Sequence, residues 1–185
     1  MQRRTDLTAP QGLWEWLRLW GLYLTSFPAA ERKSIRRILR MRRDGRAKVW
    51  AICRDGKFFG LLMTMESPHL VQLDYLAVCK KARNSGLGAD ALSLLREKLA
   101  GRPLFVEIES PFTPGPDQTL RQRRRGFYLR AGMTPLHILA EVCEVQMELL
   151  GWDCELTFDE YLAFYRDYYR PESAEKIRQL PYPKT

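Results

Sequence analysis

The sequence has few residues that could hold a metal ion. It contains only two histidines, His69 and His137, and its cysteines form no CxxC pair. Structural zinc sites need such ligands at short, regular spacings, so we predict no bound metal. Four scattered thiols are typical of buried cysteines in a reducing compartment, and we therefore expect a cytoplasmic protein. These cysteines are Cys53, Cys79, Cys143 and Cys154.

Long apolar runs are also lacking. The N-terminal stretch Leu13–Leu24 is interrupted by Glu15 and Arg18, and it is shorter than the roughly 20 apolar residues that cross a bilayer. No small-residue cleavage site clearly follows it, so we expect neither a targeting segment nor a membrane partner. The GxGxxG pattern of doubly wound dinucleotide-binding folds is absent as well.

What the sequence does have is positive charge. Its 185 residues carry 30 Lys and Arg against 22 Asp and Glu, a formal net charge of +8. This excess favours anionic partners such as nucleic acid, an anionic membrane surface or a phosphorylated cofactor. The length suits one domain, which we place at residues 1–170, followed by a polar, proline-bearing tail at 171–185.

The first half of the chain predicts two helices and three strands. Four apolar residues recur at helical spacing after Pro10: Leu13, Leu17, Trp20 and Leu24. We expect this stripe to face the core, which makes a membrane-surface anchor through Trp14, Trp16 and Trp20 the weaker interpretation. A second helix is predicted from Ala29 to Arg43. An Asp-Gly hairpin turn at 54–57 and a turn at 67–69 then separate three antiparallel strands, the last at 70–78.

The second half alternates strands with helices. Leu104–Ser110 predicts a strand that returns parallel after a helix, and residues 117–131 predict a helix that ends at Gly132. Two strands within 136–150 follow, and Thr157 with Glu160 forms a capping box for a last helix. The fold class is therefore α+β, with a mixed, mostly antiparallel sheet of about six to seven strands, helices on both faces and a C-terminal helix.

One short stretch is more specific than this general pattern. CKKARNSGLGADALSLL, Cys79 to Leu95, follows the strand-like LDYLAV and precedes a helix. A glycine loop at the N-terminus of a helix presents backbone N–H groups to a phosphate. This segment resembles the acyl-CoA-binding motif of the GNAT superfamily of N-acetyltransferases, in which Arg or Gln precedes two spaced small residues. A second stretch, GFYLRAGM at Gly126–Met133, resembles the family's aromatic-Tyr segment, and the separation and strand order also match.

The resemblance implies acetyl-CoA as co-substrate and no metal. The pyrophosphate would meet backbone N–H groups from Asn84 to Ala89, and the pantetheine arm would lie between the strands that end at Val78 and begin at Leu104. The implied cofactor-binding residues are Ala77, Val78, Arg83, Asn84, Ser85, Gly86, Leu87, Gly88, Ala89 and Tyr128. Lys80 and Lys81 add charge for the same phosphates, although solvation alone would also explain each lysine.

The resemblance also implies how acetyl transfer would proceed. An amine would attack the thioester directly in a ternary complex, with the Val78 N–H stabilising the oxyanion and Tyr128 protonating the thiolate. Several groups are candidates for the general base that removes the amine proton. Glu107 and Glu109 alternate onto one face of their strand and are the main candidates. Asp74 and Tyr75 are weaker candidates, and a water-mediated base is an alternative.

Two departures from the family pattern are Arg121 and Arg124, which stand where asparagine and a small residue are common. They put in doubt an asparagine contact to coenzyme A. Gly126 inside the helix marks a close approach.

The basic helix leaves other functions open. Residues 31–48 hold nine basic and two acidic residues, which is typical of a solvated face or of a rim for an acidic acceptor. A nucleic-acid-binding protein is the alternative, but it leaves the Gly86 loop unexplained. A coenzyme A-binding module without catalysis is another. We expect an amine acceptor, either a small molecule or a protein, no nucleic acid, and a homodimer of the kind that this family forms through its late strands.

Overall fold

The computed structural model describes residues 4–169 and 174–183. Within-chain contacts divide the chain into two compact units, Met1–Arg102 and Pro103–Thr185. Of the predicted tail, residues 171–173 and 184–185 lie outside the described residues. Each unit is described by itself below.

Unit 1 pairs four strands with three helices. Its strands run in the spatial order β1-β2-β3-β4, and every pairing is antiparallel. A single 3₁₀ turn at Ala29–Glu31 precedes α2, so the predicted second helix begins only at Ile35, where Ser34 caps it through the Arg37 N–H. The elements are β1 Thr5–Thr8, α1 Gly12–Ser26, α2 Ile35–Arg43, β2 Ala47–Arg54, β3 Lys57–Glu66, β4 Val71–Val78 and α3 Leu87–Leu99.

Helices cover both faces of these strands. On one face, alternate strand residues such as Val49 and Met63 pack against Leu19, Tyr23 and Ile38 of α1 and α2. Trp50 points to the opposite face by strand alternation, and there the Lys98 ammonium of α3 lies 5.2 Å from its ring centroid. The helix at the glycine loop and the two N-terminal helices therefore lie on opposite sides of the strands, which confirms for unit 1 the prediction of helices on both faces.

The predicted core stripe of α1 is wrong except at Trp20, which packs partly buried against the core. Leu13 and Trp14 are 71% and 77% exposed, and Leu17 and Leu24 are about half exposed. The buried residues are instead Leu19 and Tyr23. The helix is apolar around most of its circumference, so periodicity alone offered two stripes, and packing of Tyr23 against Phe27 and Tyr75 selected the other one.

Unit 2 also pairs four strands with helices. Its strands run in the order β5-β7-β6-β8, again antiparallel throughout. Phe105 of β5 stacks edge-on against Tyr161 and Phe164 of α5, whereas Glu148 and Trp152 of β7 contact α4, so the two helices lie on opposite faces. The elements are β5 Leu104–Glu109, α4 Gln118–Arg130, β6 Thr134–Val142, β7 Val145–Trp152, α5 Phe158–Tyr168 and β8 Arg178–Leu180.

The predicted α+β class is confirmed, with more strands than expected. The described residues contain eight strands instead of six to seven. The additional ones are the short edge strands β1 and β8, and β8 lies in the predicted tail, where it pairs with Leu139–Glu141 of β6. The predicted parallel crossover from β4 through α3 to β5 runs from unit 1 into unit 2 and stays a prediction.

The cysteines differ from expectation in their burial. All four are free thiols, but only Cys53 is buried, whereas Cys143 is exposed. Cys143 is exposed because it lies in the tight turn between β6 and β7, where it adopts φ of 50°. Among the described residues, none of the helices is both long and apolar enough to cross a membrane.

Candidate functional site

The end of β4 presents a backbone donor. The Cys79 N–H donates to the Phe59 carbonyl of β3 at 2.8 Å. Because successive N–H groups along a strand point to opposite edges, the Val78 N–H points away from β3. Gly60 permits this arrangement, since a Cβ at that position would lie 2.6 Å from the Ala77 carbonyl oxygen.

The glycine loop forms as the sequence predicts. Gly86 adopts the left-handed conformation with φ of 83° at the N-cap of α3, and Asn84 has φ of 60°. The first intrahelical bond joins the Asp90 N–H to the Gly86 carbonyl at 3.0 Å, so the helix supplies no acceptor for the N–H groups of residues 86–89. A Cβ built on Gly86 would meet no other part of the described chain within 4 Å, apart from its immediate neighbours, which leaves space for an anion.

Cations lie beside this loop. A cavity of about 490 Å³ is lined by the end of α1 and by the residues after β4, namely Leu22, Thr25, Ser26, Cys79, Lys80, Lys81 and Arg83. Lys80 and Lys81 form a 3₁₀ turn with Ala82. The Arg83 Nε donates to the Val78 carbonyl at 3.3 Å, which directs this side chain back over the end of β4. Three cations and a row of N–H donors suit a polyanion such as a pyrophosphate.

Three residues that the sequence pattern did not single out also lie at this loop: Thr5, Arg54 and Asp90. Arg54 ends β2 at the predicted hairpin, and Thr5 belongs to the missed strand β1. The local sequence pattern predicts only a turn at Arg54. It cannot reveal the contacts of Arg54 with Ser85 and Asp90, because these residues lie more than thirty positions away along the chain. Only tertiary structure reveals this cluster.

Asp74, a weaker candidate for the base, is held by an ion pair. Met63 pairs with Tyr75 and Thr64 with Leu73, so Asp74 is the extra residue of a β-bulge. Both of its carboxylate oxygens lie 2.8 Å from Lys33 Nζ, and the two side chains are 9% and 8% exposed. Both oxygens of Asp74 are therefore committed to Lys33 and not presented to an acceptor amine.

Tyr75 is also engaged. Its hydroxyl donates to the Glu31 carbonyl at 2.7 Å and accepts from the Lys33 N–H at 3.1 Å. Burial raises the pKa of Tyr75 far above its ordinary value, and the charge of Asp74 adds to the increase. Tyr75 therefore fastens the segment between α1 and α2 to β4 and stays protonated.

Tyr128 is the most buried residue of α4 in unit 2, with 7% of its surface exposed. Burial raises its pKa to about 12, and the nearby charge of Arg124 opposes this increase. The hydroxyl is therefore protonated throughout the neutral range and can donate a proton but cannot act as a base. Gly132 ends the helix one residue beyond its C-cap with φ of 85°, as predicted.

Glu107 lies on the α5 face of the unit 2 strands. It accepts a hydrogen bond from the buried Tyr165 hydroxyl at 2.8 Å, and the carboxylate in turn raises the pKa of Tyr165, which burial has already raised. Tyr128 lies on α4, the helix on the opposite face. The structure therefore does not bring Glu107 and Tyr128 together.

Glu109 ends β5 and contacts the helix that carries Tyr128. Its carboxylate oxygens lie 3.3 Å from Arg124 Nη1 and 3.9 Å from Arg121 Nη1, and 37% of its side chain is exposed. The two arginines that depart from the family pattern are thus partners of Glu109. The predicted close approach at Gly126 is limited to the flexible tip of Arg130, 3.1 Å from a Cβ built on the glycine.

The two units together have the fold of the GNAT acetyltransferases, which confirms the predicted resemblance at the level of the fold. A protein from Bacteroides thetaiotaomicron described as a GNAT-family acetyltransferase is 20% identical, with a TM-score of 0.70 over 92% of this chain and 98% of that chain. An aminoglycoside 6'-N-acetyltransferase complexed with coenzyme A is 12% identical, with a TM-score of 0.65 over 80% of this chain and 96% of its own.

A third similar structure is the ribosomal-protein-S18-alanine N-acetyltransferase from Escherichia coli, which is 12% identical with a TM-score of 0.57. The match covers 83% of this chain and 96% of that chain. No protein-family model and no curated protein matches the sequence. Among the described residues, no three histidine, cysteine or carboxylate side chains are grouped closely enough to hold a metal ion.

Proposed function

We propose that this protein is an N-acetyltransferase that transfers an acetyl group from acetyl-CoA to a primary amine. The observation that carries the proposal is the loop after β4, in which left-handed Gly86 opens α3 and leaves the N–H groups of residues 86–89 without helical acceptors. Lys80, Lys81 and Arg83 supply positive charge beside it. This donor set suits the pyrophosphate of coenzyme A.

The acceptor amine would attack the thioester directly in a ternary complex. The Val78 N–H, which points away from β3, would donate to the carbonyl oxygen as negative charge develops there. In other enzymes the loss of one such donor costs roughly 3–4 kcal/mol of transition-state stabilisation. Tyr128, protonated because of its raised pKa, would supply a proton to the leaving thiolate.

The carboxylates would take different roles. Glu109 remains open to water beside the helix that bears Tyr128, so we assign it the removal of the amine proton, directly or through water. Its ion pairs with Arg121 and Arg124 are partly exposed, and partly exposed ion pairs contribute little to holding a side chain in one place. Glu107 is bonded to Tyr165 on the other face, which favours a structural role.

The acceptor could be a small molecule or a protein. One similar structure is an aminoglycoside acetyltransferase and another modifies a ribosomal protein. An amine screen should therefore include both classes, and it should also include acidic acceptors because the exposed arginines of α2 favour them.

Thermal unfolding with and without acetyl-CoA tests the proposal. At about 100 times Kd the ligand adds roughly 2.7 kcal/mol of stability, which raises Tm by roughly 5–10 °C in a chain of this size. Gly86→Glu should abolish the shift, since it adds strain at φ of 83° and a negative charge at the anion site.

Gly101→Glu is the matched control. Gly101 has φ of 85°, open space around it and a position just beyond the other end of α3. The Gly101→Glu variant therefore introduces the same strain and charge away from the loop. The rise in its Tm with acetyl-CoA should equal that of the wild type. If the wild type shows no shift, the acyltransferase proposal fails, and salt-dependent RNA binding through residues 31–48 becomes the function to test.

A further inference from the structure

All three nitrogens of the Arg54 guanidinium group donate hydrogen bonds at or beside the glycine loop. Its Nη1 donates to the Ser85 carbonyl at 3.3 Å, its Nη2 to Asp90 Oδ2 at 2.8 Å and its Nε to the Thr5 hydroxyl at 3.3 Å. The Thr5 hydroxyl in turn donates to Asp90 Oδ2 at 2.7 Å. Only 12% of the Arg54 side chain is exposed, so this is a closed cluster and not a loose surface pair.

The bond to Ser85 fixes the direction of a peptide group. In a trans peptide the C=O and the N–H point in opposite directions. The Ser85 carbonyl points toward Arg54, so the N–H of Gly86 must point away from it. The Ser85 hydroxyl also donates to the Ala82 carbonyl at 2.7 Å, which gives the same residue a second anchor. Arg54 therefore orients the first of the N–H groups at the start of α3.

The bond to Asp90 removes an unfavourable charge. Asp90 lies in the first turn of α3, and 45% of its side chain is exposed. An unpaired carboxylate there would repel any anion bound at the same helix end. With Arg54 at 2.8 Å the pair is neutral, and the charge that remains at the loop is that of Lys80, Lys81 and Arg83.

We propose that Arg54 is a positioning residue for the cofactor, acting through Ser85 and Asp90 and not by contact with the phosphates. This role rests on the proposed function, because it assumes that the loop binds the pyrophosphate of coenzyme A. Lysine can replace Arg54 only in part, since one ammonium group cannot donate along the three directions of the guanidinium fork.

Calorimetric titration with coenzyme A tests the role without knowledge of the acceptor. Arg54→Gln should weaken binding about 10- to 100-fold, the usual range for hydrogen bonds to charged groups. Asp90→Asn in the Arg54→Gln background should restore binding to within about fivefold of wild type, because it removes the uncompensated carboxylate. Arg54→Lys should lie between the wild type and Arg54→Gln, and it replaces Arg54→Gln if that variant does not fold.

Lys57→Gln is the control for net charge, because it removes one exposed cation from the same hairpin. It should bind coenzyme A as the wild type does. A wild type that binds no coenzyme A would overturn the proposed function and this role together. A wild type that binds, with Arg54→Gln binding equally well, would overturn this role alone. Weakened binding that Asp90→Asn does not improve at all would overturn the part of the role that acts through Asp90.

Discussion

The candidate site residues of the two units differ in the kind of hydrogen-bond donor that they supply. In unit 1 the donors are exposed backbone N–H groups at the end of β4 and the start of α3, and their directions depend on Gly60, Gly86 and Arg54. In unit 2 the donor is a side chain, Tyr128, whose protonation depends on burial. A backbone site is lost when the chain is displaced, whereas a side-chain site is lost when one functional group is removed.

Tyr128→Phe should have the largest effect on the rate. It removes the hydroxyl but keeps the ring in its buried position, so kcat should fall about 100- to 10,000-fold while the Kd for coenzyme A changes little. Steady-state kinetics and titration measure the two quantities. Tyr165→Phe is the matched control on the other helix of unit 2. If Tyr128→Phe is silent, the protein is better described as a coenzyme A-binding module.

The pH dependence of the rate also tests the role of Tyr128 as the proton donor. A proton donor is active below its pKa, and the pKa of Tyr128 is raised to about 12. The rate should therefore rise with pH as the acceptor amine loses its proton and should show no fall from Tyr128 below about pH 11. A falling limb between pH 8 and 10 in a protein that remains folded would mean that another group is the acid.

Gly60→Ala should show how strongly unit 1 depends on its backbone. The added Cβ would lie 2.6 Å from the Ala77 carbonyl oxygen, which cannot move without shifting β4. Overpacking of this kind costs about 1–3 kcal/mol, and binding of coenzyme A should weaken as well. Gly126→Ala in α4 is the comparison. It meets only the tip of Arg130, so it should be neutral or stabilise by about 0.5–1 kcal/mol.

The smallest effects should separate the two glutamates of β5. Glu109→Gln should lower kcat about tenfold with little change in Tm. Glu107→Gln should lower the stability by about 1 kcal/mol, because the bond from Tyr165 loses its charged acceptor, and kcat should stay within about threefold. The reverse pattern would assign the base to Glu107 and would require its carboxylate to leave Tyr165.

The sequence predicted those features that neighbouring residues determine. The Asp-Gly turn forms with Asp55 and Gly56 at positive φ, the capping box joins Thr157 to Glu160, and Gly86 opens α3. Each depends on a few adjacent residues and on local backbone preference. The resemblance to the acyl-CoA-binding motif was equally local, which is why the loop could be predicted in detail.

Features that depend on distant contacts were missed. The buried face of α1 depends on the contact of Tyr23 with Tyr75 in β4. The direction of the Asp74 side chain depends on a bulge where β4 pairs with β3. Arg54 was predicted only as part of a turn, although it holds Ser85. Strand alternation predicted Glu107 and Glu109 on one face, but Glu107 contacts α5 whereas Glu109, at the end of the strand, contacts the arginines of α4. These contacts arise from packing, which periodicity does not determine.

The exposed apolar face of α1 bears on how the protein behaves in solution. Leu13, Trp14, Leu17 and Leu24 favour association between molecules, and the net charge of +8 opposes it by mutual repulsion. Salt shortens the range of that repulsion from about 10 Å at 0.1 M to about 3 Å at 1 M, while it leaves the apolar attraction in place. Solubility should therefore fall as ionic strength rises, and storage at low salt suits this molecule.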